Sequence, residues 1–376
     1  MRLAWLRPAP LDTANPIDDV SALIDALRAR HTIDTFDERR AHDLVWMRVR
    51  QPFDVCIYEL DDTAAHRYVW PYLLRYPGIV LLRSASLYRS HATALRHEQR
   101  RDDEVRERMF GGWPMLRAPL LASRLVVVPH ESVADSLRDD YPEARIRHLP
   151  AGVRANDVLA PPTDGRTRFG FVHVGDDRQA GVVQRAAGRA RDGGAPVELT
   201  VDPDARRVIA ASDVVLALHW PSEGHPLVEA VAAMAARRVP VVFDTLETAD
   251  WPSLDPQTWQ RRAAAGAERG EAICVSIDLR DEEHSLMLAM KRLAADGELR
   301  RALADASHAW WRTEATIERA TAAFDMLLEE AVSLPPPQRP ADWPSHLTAD
   351  GTERAREILA EMGVAVDFLS VGGGRL

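Results

Sequence analysis

The sequence predicts an α/β protein with two domains, each built on a parallel β-sheet that helices cover on both faces. In both halves of the chain, short apolar runs of strand length alternate with stretches that carry apolar residues at helical spacing. A polar stretch rich in Pro, Gly and Asp, residues 150–166, separates the two halves and indicates a linker. A length of 376 residues is sufficient for two domains of ordinary size.

The first half contains the elements of one complete sheet. Apolar runs predict strands at Leu3–Leu6, Phe53–Leu60, Gly78–Leu82, Arg124–Pro129 and Arg145–Leu149, and Thr32–Phe36 is a candidate for a second short strand. Ile17–Arg30 carries its apolar residues on one face and predicts an amphipathic helix. His91–Arg108 is dense in Arg, Glu and His and predicts a solvated helix. Met109–Leu121 mixes aromatic and basic residues, which indicates either a surface helix or an element that contacts an acceptor or a membrane surface.

The second half repeats the alternation. Strands are predicted from Phe169 onward and at Val197–Val201, Val214–Leu218, Pro240–Phe243 and Ala272–Ile277. Helices are predicted near Gly181–Arg191, at Glu282–Asp296 and over most of Leu299–Val332, before Pro335 ends the last one. A Pro-rich spacer, a helix at Asp350–Met362 and a glycine-rich tail complete the chain.

The stretch Ala211–Asp244 predicts a βαβ unit, the most informative part of the chain. Pro226 suits the first position of the helix, where a missing N–H has no cost, and Leu227 begins its apolar face. Two acids and a glycine, Glu223, Gly224 and Glu229, lie where the first strand meets this helix. Ligands of open parallel sheets bind at that edge, so we expect the functional site there.

Composition excludes several classes of protein. The net charge of −10 argues against general nucleic-acid binding. Cys56 and Cys274 are too far apart to suggest a metal site, and two isolated thiols suit a reducing cytoplasm. Lys291 is the only lysine, so any chemistry that requires a lysine depends on it. No signal peptide or membrane span is evident, and we expect a cytoplasmic protein, with at most peripheral contact at the inner membrane face.

Four stretches resemble the retaining glycosyltransferases of the GT-B class, specifically the family-four-like enzymes of glycosyl transferases group 1. PSEGHPLVEAVAAMAARRVPVVFD is similar to the family signature, commonly Pro-Ser-x-x-Glu-Gly-Phe-Gly-Leu-Pro-x-Leu-Glu-Ala followed by a helix and Pro-Val-Val. The other three stretches are Tyr58–Leu82, Arg124–Val153 and Leu293–Glu330. They resemble a bacterial N-domain segment, the end of the N-terminal domain and the final helices of the family, respectively. The resemblance implies two Rossmann-like domains that face a cleft.

The resemblance also implies domain limits. Residues 1–152 would form the acceptor domain, 153–166 the linker and 167–312 the nucleotide-sugar donor domain. Residues 313–334 would form a helix that returns to the first domain, followed by a spacer, helix and tail at 335–376. A role in polysaccharide biosynthesis would follow from the family.

By position in the motif, the resemblance implies roles for individual residues. Glu229 would bind the donor ribose, and Glu223 would be the first acid, held near the transferred sugar. His66 matches a loop histidine of the family and would face the cleft, with Glu223 as the second candidate catalytic residue. The remaining donor-binding candidates are Gly224, His225, Pro226, Leu227 and Arg178. Enzymes of this family usually need no metal or other cofactor, since cationic side chains and helix N-termini hold the donor diphosphate.

The implied partners are a nucleotide-sugar donor and a saccharide or lipid-linked acceptor, with no nucleic acid and an unspecified oligomeric state. The implied reaction is transfer of a hexose with retention.

Departures from the family pattern leave two alternatives open. Glu223 and Glu229 are closer together than the family acids, the stretch VGDDRQAG (174–181) has no lysine, and the loop Pro8–Pro16 has no glycine. Arg83-Ser84 also replaces the His-Asp of related proteins. A catalytically inactive relative that binds nucleotide, or that partners a true transferase, is therefore the main alternative. A GT-B epimerase or phosphorylase is the second, although a phosphorylase would need a pyridoxal-bearing lysine.

Overall fold

The computed structural model describes residues 1–9, 17–155, 166–173, 177–262, 270–348 and 353–364. Most of the loop after the first strand, most of the predicted linker, residues 174–176 and the glycine-rich tail therefore lie outside the described residues. Two all-parallel sheets of six strands form the framework, with helices packed on both faces of each sheet. The predicted fold class is confirmed.

The first sheet has the strand order β2-β1-β3-β4-β5-β6. Its strands are β1 (Arg2–Leu6), β2 (Thr32–Phe36), β3 (Val55–Leu60), β4 (Ile79–Leu82), β5 (Leu125–Val128) and β6 (Ile146–His148). Alternation along β1 places Leu3 and Trp5 in one core cluster, and Ala4 and Leu6 in the cluster on the opposite face. Both faces are apolar because helices cover both.

Seven helices accompany the first sheet within the described residues. They are α1 (Asp19–Leu27), α2 (Asp43–Arg50), α3 (Val69–Arg75), α4 (Tyr88–His97), α5 (Arg101–Gly111), α6 (Arg117–Ala122) and α7 (Glu131–Asp140). The prediction of a solvated helix at His91–Arg108 is wrong in two ways. The segment forms parts of α4 and α5, and Glu104 and Glu107 are buried. Burial is tolerated because both acids are paired: Arg96 binds Glu104, and His91 lies 2.6 Å from Glu107.

The second sheet has the strand order β11-β12-β10-β9-β7-β8. Its strands are β7 (Thr167–Val172), β8 (Val197–Asp202), β9 (Val214–Leu216), β10 (Val239–Phe243), β11 (Ser253–Leu254) and β12 (Cys274–Ile277). The helices packed on it are α8 (Asp177–Asp192), α9 (Ala205–Ala211), α10 (Val228–Ala235), α11 (Glu282–Ala295) and α12 (Gly297–Glu314). The first and third strands of this half, β7 and β9, pair directly, and β9 continues into the loop with the candidate residues.

The chain then returns to the first sheet. α13 (Ile317–Ser333) begins after Thr316, whose hydroxyl accepts the Arg319 backbone N–H at 3.3 Å. The apolar face of α13 enters the same core cluster as Leu3 and Trp5, and the Phe324 ring stacks on Trp5 at 5.5 Å between centroids. Residues 299–332 are thus two helices joined at Ala315 and Thr316. The exact domain limits stay predictions.

The segment that follows α13 also lies on the first domain. Leu347 is buried in that domain's core, and His346 Nε2 lies 2.9 Å from Glu107 Oε1. A last described helix, α14, spans Glu353–Glu361. Among the described residues, no helix combines the length and the apolar character needed to cross a membrane.

Candidate functional site

The signature loop, which we define as residues 217–227, connects β9 to α10 at the carboxyl edge of the second sheet. α10 is buried along its whole length, so the loop is fixed to a rigid element. The helix begins at Val228 after the cap residue Leu227, and Pro226 therefore precedes the cap. The prediction that Pro226 occupies the first helical position is wrong by two residues, because Leu227 has non-helical backbone angles.

The turn in this loop has an uncommon backbone conformation. Glu223 and Gly224 both have positive φ, +44° and +83°. The Gly224 N–H donates to Glu247 Oε1 at 2.5 Å, and Glu247 is itself buried. Burial opposes ionisation of Glu247, but hydrogen bonds from Thr245 and Gly224 outweigh it and lower its pKa. A Cβ at position 224 would lie 3.2 Å from the backbone nitrogen of Ala85 in the first domain.

The turn contacts the first domain directly. The Ala85 N–H donates to the Glu223 carbonyl, and the Glu223 carboxylate lies 3.3 Å from the Arg89 guanidinium. His225 Nε2 lies 2.9 Å from Asp61 Oδ1. All of these first-domain residues follow β3 or β4, so the carboxyl edges of the two sheets meet at the signature loop.

The contact between His225 and Asp61 favours the charged forms of both side chains. Burial alone would lower the pKa of His225, but the hydrogen bond and charge of Asp61 outweigh it and raise that pKa. Burial would likewise raise the pKa of Asp61, and the bond to His225 and its charge lower it instead. The opposite shifts show that each partner stabilises the charged form of the other.

A second histidine, also from the first domain, contacts the loop. His130 follows β5, is buried, and places Nε2 2.9 Å from the carbonyl oxygen of His225. A carbonyl only accepts, so Nε2 carries the proton and donates. Burial lowers the pKa of His130 to about 4, which makes this ring neutral at physiological pH.

His66 lies beside Asp61 in a short helical turn after β3. Its Nδ1 shares a hydrogen bond of 2.8 Å with the Thr63 hydroxyl. Its Nε2 is buried and has no hydrogen-bond partner in the described part of the chain. Burial lowers the pKa of His66 to about 4 against the opposing charge of Asp61, so the ring is neutral at pH 7. Such a nitrogen is suited to a hydrogen bond with a bound hydroxyl group.

Glu229 occupies the first turn of α10 and is 3% exposed. His219, in the signature loop, places Nε2 3.3 Å from Glu229 Oε2, without hydrogen-bond geometry. Leu227 is buried among apolar residues of the second domain. Of these two candidates in the second domain, Glu229 therefore places a carboxylate where the strand meets the helix, and Leu227 packs against apolar residues.

Arg178 is separate from the loop in the chain and lies in the first turn of α8, just after β7. Its guanidinium lies 2.8 Å from Glu282 at the start of α11, and the side chain is 64% exposed. Both residues follow strands of the second sheet at its carboxyl edge. The unsatisfied N–H groups of a helix N-terminus are suited to anions.

Three residues of this site were missed by sequence reasoning: Arg89, His130 and Glu247. His130 could have been found, since it directly follows a predicted strand at the edge where ligands bind. Arg89 and Glu247 could not, because nothing local distinguishes them from surface charges. The departure at Arg83 also has a structural reason: its guanidinium binds the Asp19 carboxylate twice, at 2.6 and 2.8 Å.

The acids beside the signature loop pair with other protein groups. Asp61 binds His225, and Asp62 accepts the Ser90 backbone N–H at 2.6 Å. In the part of the chain that the structure describes, no group of three or more His, Cys, Asp or Glu residues is arranged to hold a metal ion.

Comparisons with known proteins give the fold. Neither a protein-family model nor a curated protein sequence matches this chain. Sucrose-phosphate synthase from Thermosynechococcus elongatus is similar in structure, with a TM-score of 0.58 and 14% identity over 88% of this chain and 98% of that chain. HepE of Anabaena, solved with UDP and glucose, gives a TM-score of 0.56 and 12% identity over 88% and 99%.

A third similar structure is the catalytic domain of starch synthase IV from Arabidopsis thaliana, bound to ADP and acarbose. Its TM-score is 0.52, with 11% identity over 88% of this chain and 99% of that chain. All three alignments extend over both sheets of this chain and nearly the whole of the other. The chain has the GT-B fold, two Rossmann-like domains with their carboxyl edges facing each other.

Proposed function

We propose that this protein is a retaining glycosyltransferase that moves a hexose from a nucleotide-sugar to a saccharide or lipid-linked acceptor. The observation that carries the proposal is the position of Glu229. It lies in the first turn of a buried helix at the carboxyl edge of the second sheet, and the loop before it faces the first domain. The GT-B fold and the nucleotides in the similar structures, UDP and ADP, support the same assignment.

The donor would be held from the second domain. Glu229 would accept hydrogen bonds from the ribose hydroxyls, and Arg178 with the N–H groups at the start of α8 would hold the diphosphate. Stabilising the departing diphosphate is the main catalytic contribution in this scheme, and it needs no metal. Gly224, His225, Pro226 and Leu227 would shape the wall against which the donor sugar lies.

The acceptor would enter from the first domain. His66 has a neutral, buried Nε2 without a partner among the described residues, and it would hydrogen-bond a sugar hydroxyl in the cleft. Glu223 would lie near the transferred sugar, on the opposite side of the cleft. The roles of these two residues are positioning the reactants and stabilising charge.

Donor turnover tests the proposal. The full chain is incubated with UDP-, GDP- and ADP-hexoses, with and without simple saccharide acceptors, and the released nucleoside diphosphate is measured. We expect release from at least one donor in the presence of chelator, and proton NMR of the product should show the anomeric configuration of the donor. No release from any of them, or an inverted product, would contradict the proposal.

A specific observation favours a second candidate, a catalytically inactive relative that binds nucleotide. Glu223 and His225 are already engaged by Arg89 and Asp61, across the space where a donor sugar would lie. Under this alternative, nucleoside diphosphates bind but no donor is consumed. Substituting Arg89 by Ala distinguishes the two candidates, because it should free Glu223. Donor turnover should then change in an active transferase, whereas an inactive relative should still consume no donor.

A further inference from the structure

A cavity between the two domains has features that the proposed transfer reaction does not use. Its volume is about 190 Å³, and residues of both domains line it. His130 and His148 come from the first domain, and Asp250, Trp251, Trp310 and Glu314 from the second. Leu227 of the signature loop also lines it, whereas Glu223 and Glu229 do not.

Two tryptophans form an aromatic corner in this cavity. The ring centroids of Trp251 and Trp310 are 5.4 Å apart, with 56° between the ring planes. Trp251 is buried, and Trp310 is half-buried at the end of α12. The faces of tryptophan rings attract cations more strongly than those of other aromatic residues.

The same cavity carries an acid that is only partly compensated. Asp250 Oδ1 is buried and has no hydrogen-bond partner in the described part of the chain. Burial raises the pKa of this carboxyl, and the charges of Glu131 and Asp135 act in the same direction. A hydrogen bond from its own backbone N–H and the charge of His148 oppose that rise without cancelling it. A buried carboxylate oxygen without a hydrogen-bond partner is unfavourable, and a cation bound beside it would remove much of that cost.

The two histidines compensate the Asp250 charge only in part. Burial lowers the pKa of His130 to about 4, so its ring is neutral at physiological pH. His148 already lies 3.0 Å from Glu131 Oε2. Glu314, exposed at the end of α12, adds a further negative charge. The lining therefore combines aromatic faces with acids, which disfavours anions such as phosphates.

We propose that this cavity is a binding site for a small organic ammonium ion, held by the Trp251 and Trp310 faces and by the Asp250 carboxylate. The volume is below the roughly 300–1,000 Å³ of typical sites for drug-sized ligands, which excludes a nucleotide or an oligosaccharide. Because both domains line the site, the ligand would contact both and stabilise the present arrangement of the two domains.

The test compares benzylamine with benzyl alcohol, which has the same shape and no charge. Ligand-observed NMR titration of the full chain should show benzylamine binding about tenfold more tightly or better. Asp250→Asn should reduce benzylamine affinity to that of the alcohol, and Trp310→Leu should weaken both ligands. The matched control is Asp305→Asn, an exposed acid on α12, which should leave both affinities unchanged.

Several results would overturn the proposal: no benzylamine binding, equal affinity for amine and alcohol, or unchanged affinity in Asp250→Asn. A second measurement guards against a folding defect. Asp250→Asn removes a buried, only partly compensated charge with little change in shape, so its thermal midpoint should equal or exceed that of the unsubstituted protein. A clear drop in the midpoint would show that the groups around the carboxylate compensate its charge fully, and would contradict the premise.

Discussion

At the residue scale, the ion pair of His225 and Asp61 makes the contact between the domains depend on pH. The pKa of His225 is raised above its ordinary 6.5. The stability that protonated His225 adds to the folded protein is therefore complete below pH 6.5 and is lost as pH rises through the raised value. The pKa of Asp61 is lowered below 3.8. The stability that ionised Asp61 adds to the folded protein is therefore present above pH 3.8 and is lost as pH falls through the lowered value. The pair is therefore strongest between these two limits.

We expect His225→Gln to lower the thermal midpoint most within that window and to have little effect above it. His225 is 38% exposed in this pair, so the expected loss is only about 0.5–1 kcal/mol. The control is His284→Gln, at an exposed histidine on α11. The difference in thermal midpoint between this variant and the unsubstituted protein should not vary with pH in this way. Midpoints measured from pH 4 to about 9 check the prediction; a constant difference would refute it.

Gly224 gives a second prediction at this scale. Its φ is +83°, and an added Cβ would lie only 3.2 Å from Ala85 N, so Gly224→Ala would strain the turn and push the loop away from the first domain. We expect a loss of about 1–2 kcal/mol in the free energy of unfolding.

The matched control is Gly188→Ala in α8, where a Cβ meets nothing within 4 Å. That change should stabilise the protein by about 0.5–1 kcal/mol, as urea titration would show. Equal effects of the two changes would contradict the argument.

At the scale of elements, α13 joins the last part of the chain to the first sheet. Phe324 is fully buried and stacks on Trp5, so Phe324→Ala should cost about 3–5 kcal/mol through the cavity it leaves. Met326, two residues further along the same helix, is 71% exposed, and Met326→Ala should change stability by less than about 0.5 kcal/mol. Urea unfolding followed by tryptophan fluorescence measures both. A small effect of Phe324→Ala would mean that α13 does not hold the first domain.

The elements also show what sequence patterns can and cannot predict. α11 was predicted to within one residue, because its apolar spacing directly reflects burial on one face. β2 was predicted at its observed limits, Thr32–Phe36, although Phe36 is its only buried residue. α5 was misjudged because its buried face carries Glu104 and Glu107, while Val105 and Met109 are exposed. Its acids are buried only because partners in α4 and in residues 335–348 neutralise them, and periodicity carries no information about such partners.

At the scale of the whole molecule, the fold could be predicted and the assembled site only partly. The two-sheet architecture follows from the repeated alternation of strands and helices, and the signature loop from its motif. The partners of the loop could not be predicted, since Arg89 is 134 residues from Glu223 and Asp61 is 164 residues from His225. Only the packing of two complete domains brings these side chains together. The roles of Arg178, His66 and Glu229 in binding stay predictions.

The most direct test of the central claim is calorimetric titration of the full chain with UDP, GDP and ADP. The site around Glu229 should bind at least one of them, and Glu229→Gln should weaken that binding about ten- to hundredfold, the value of a hydrogen bond to a charged group. Glu318→Gln, at an exposed glutamate in the first turn of α13, should bind like the unsubstituted protein. Binding of none of the three nucleotides, or unchanged affinity in Glu229→Gln, would contradict the claim that the edge of the second sheet is a donor site.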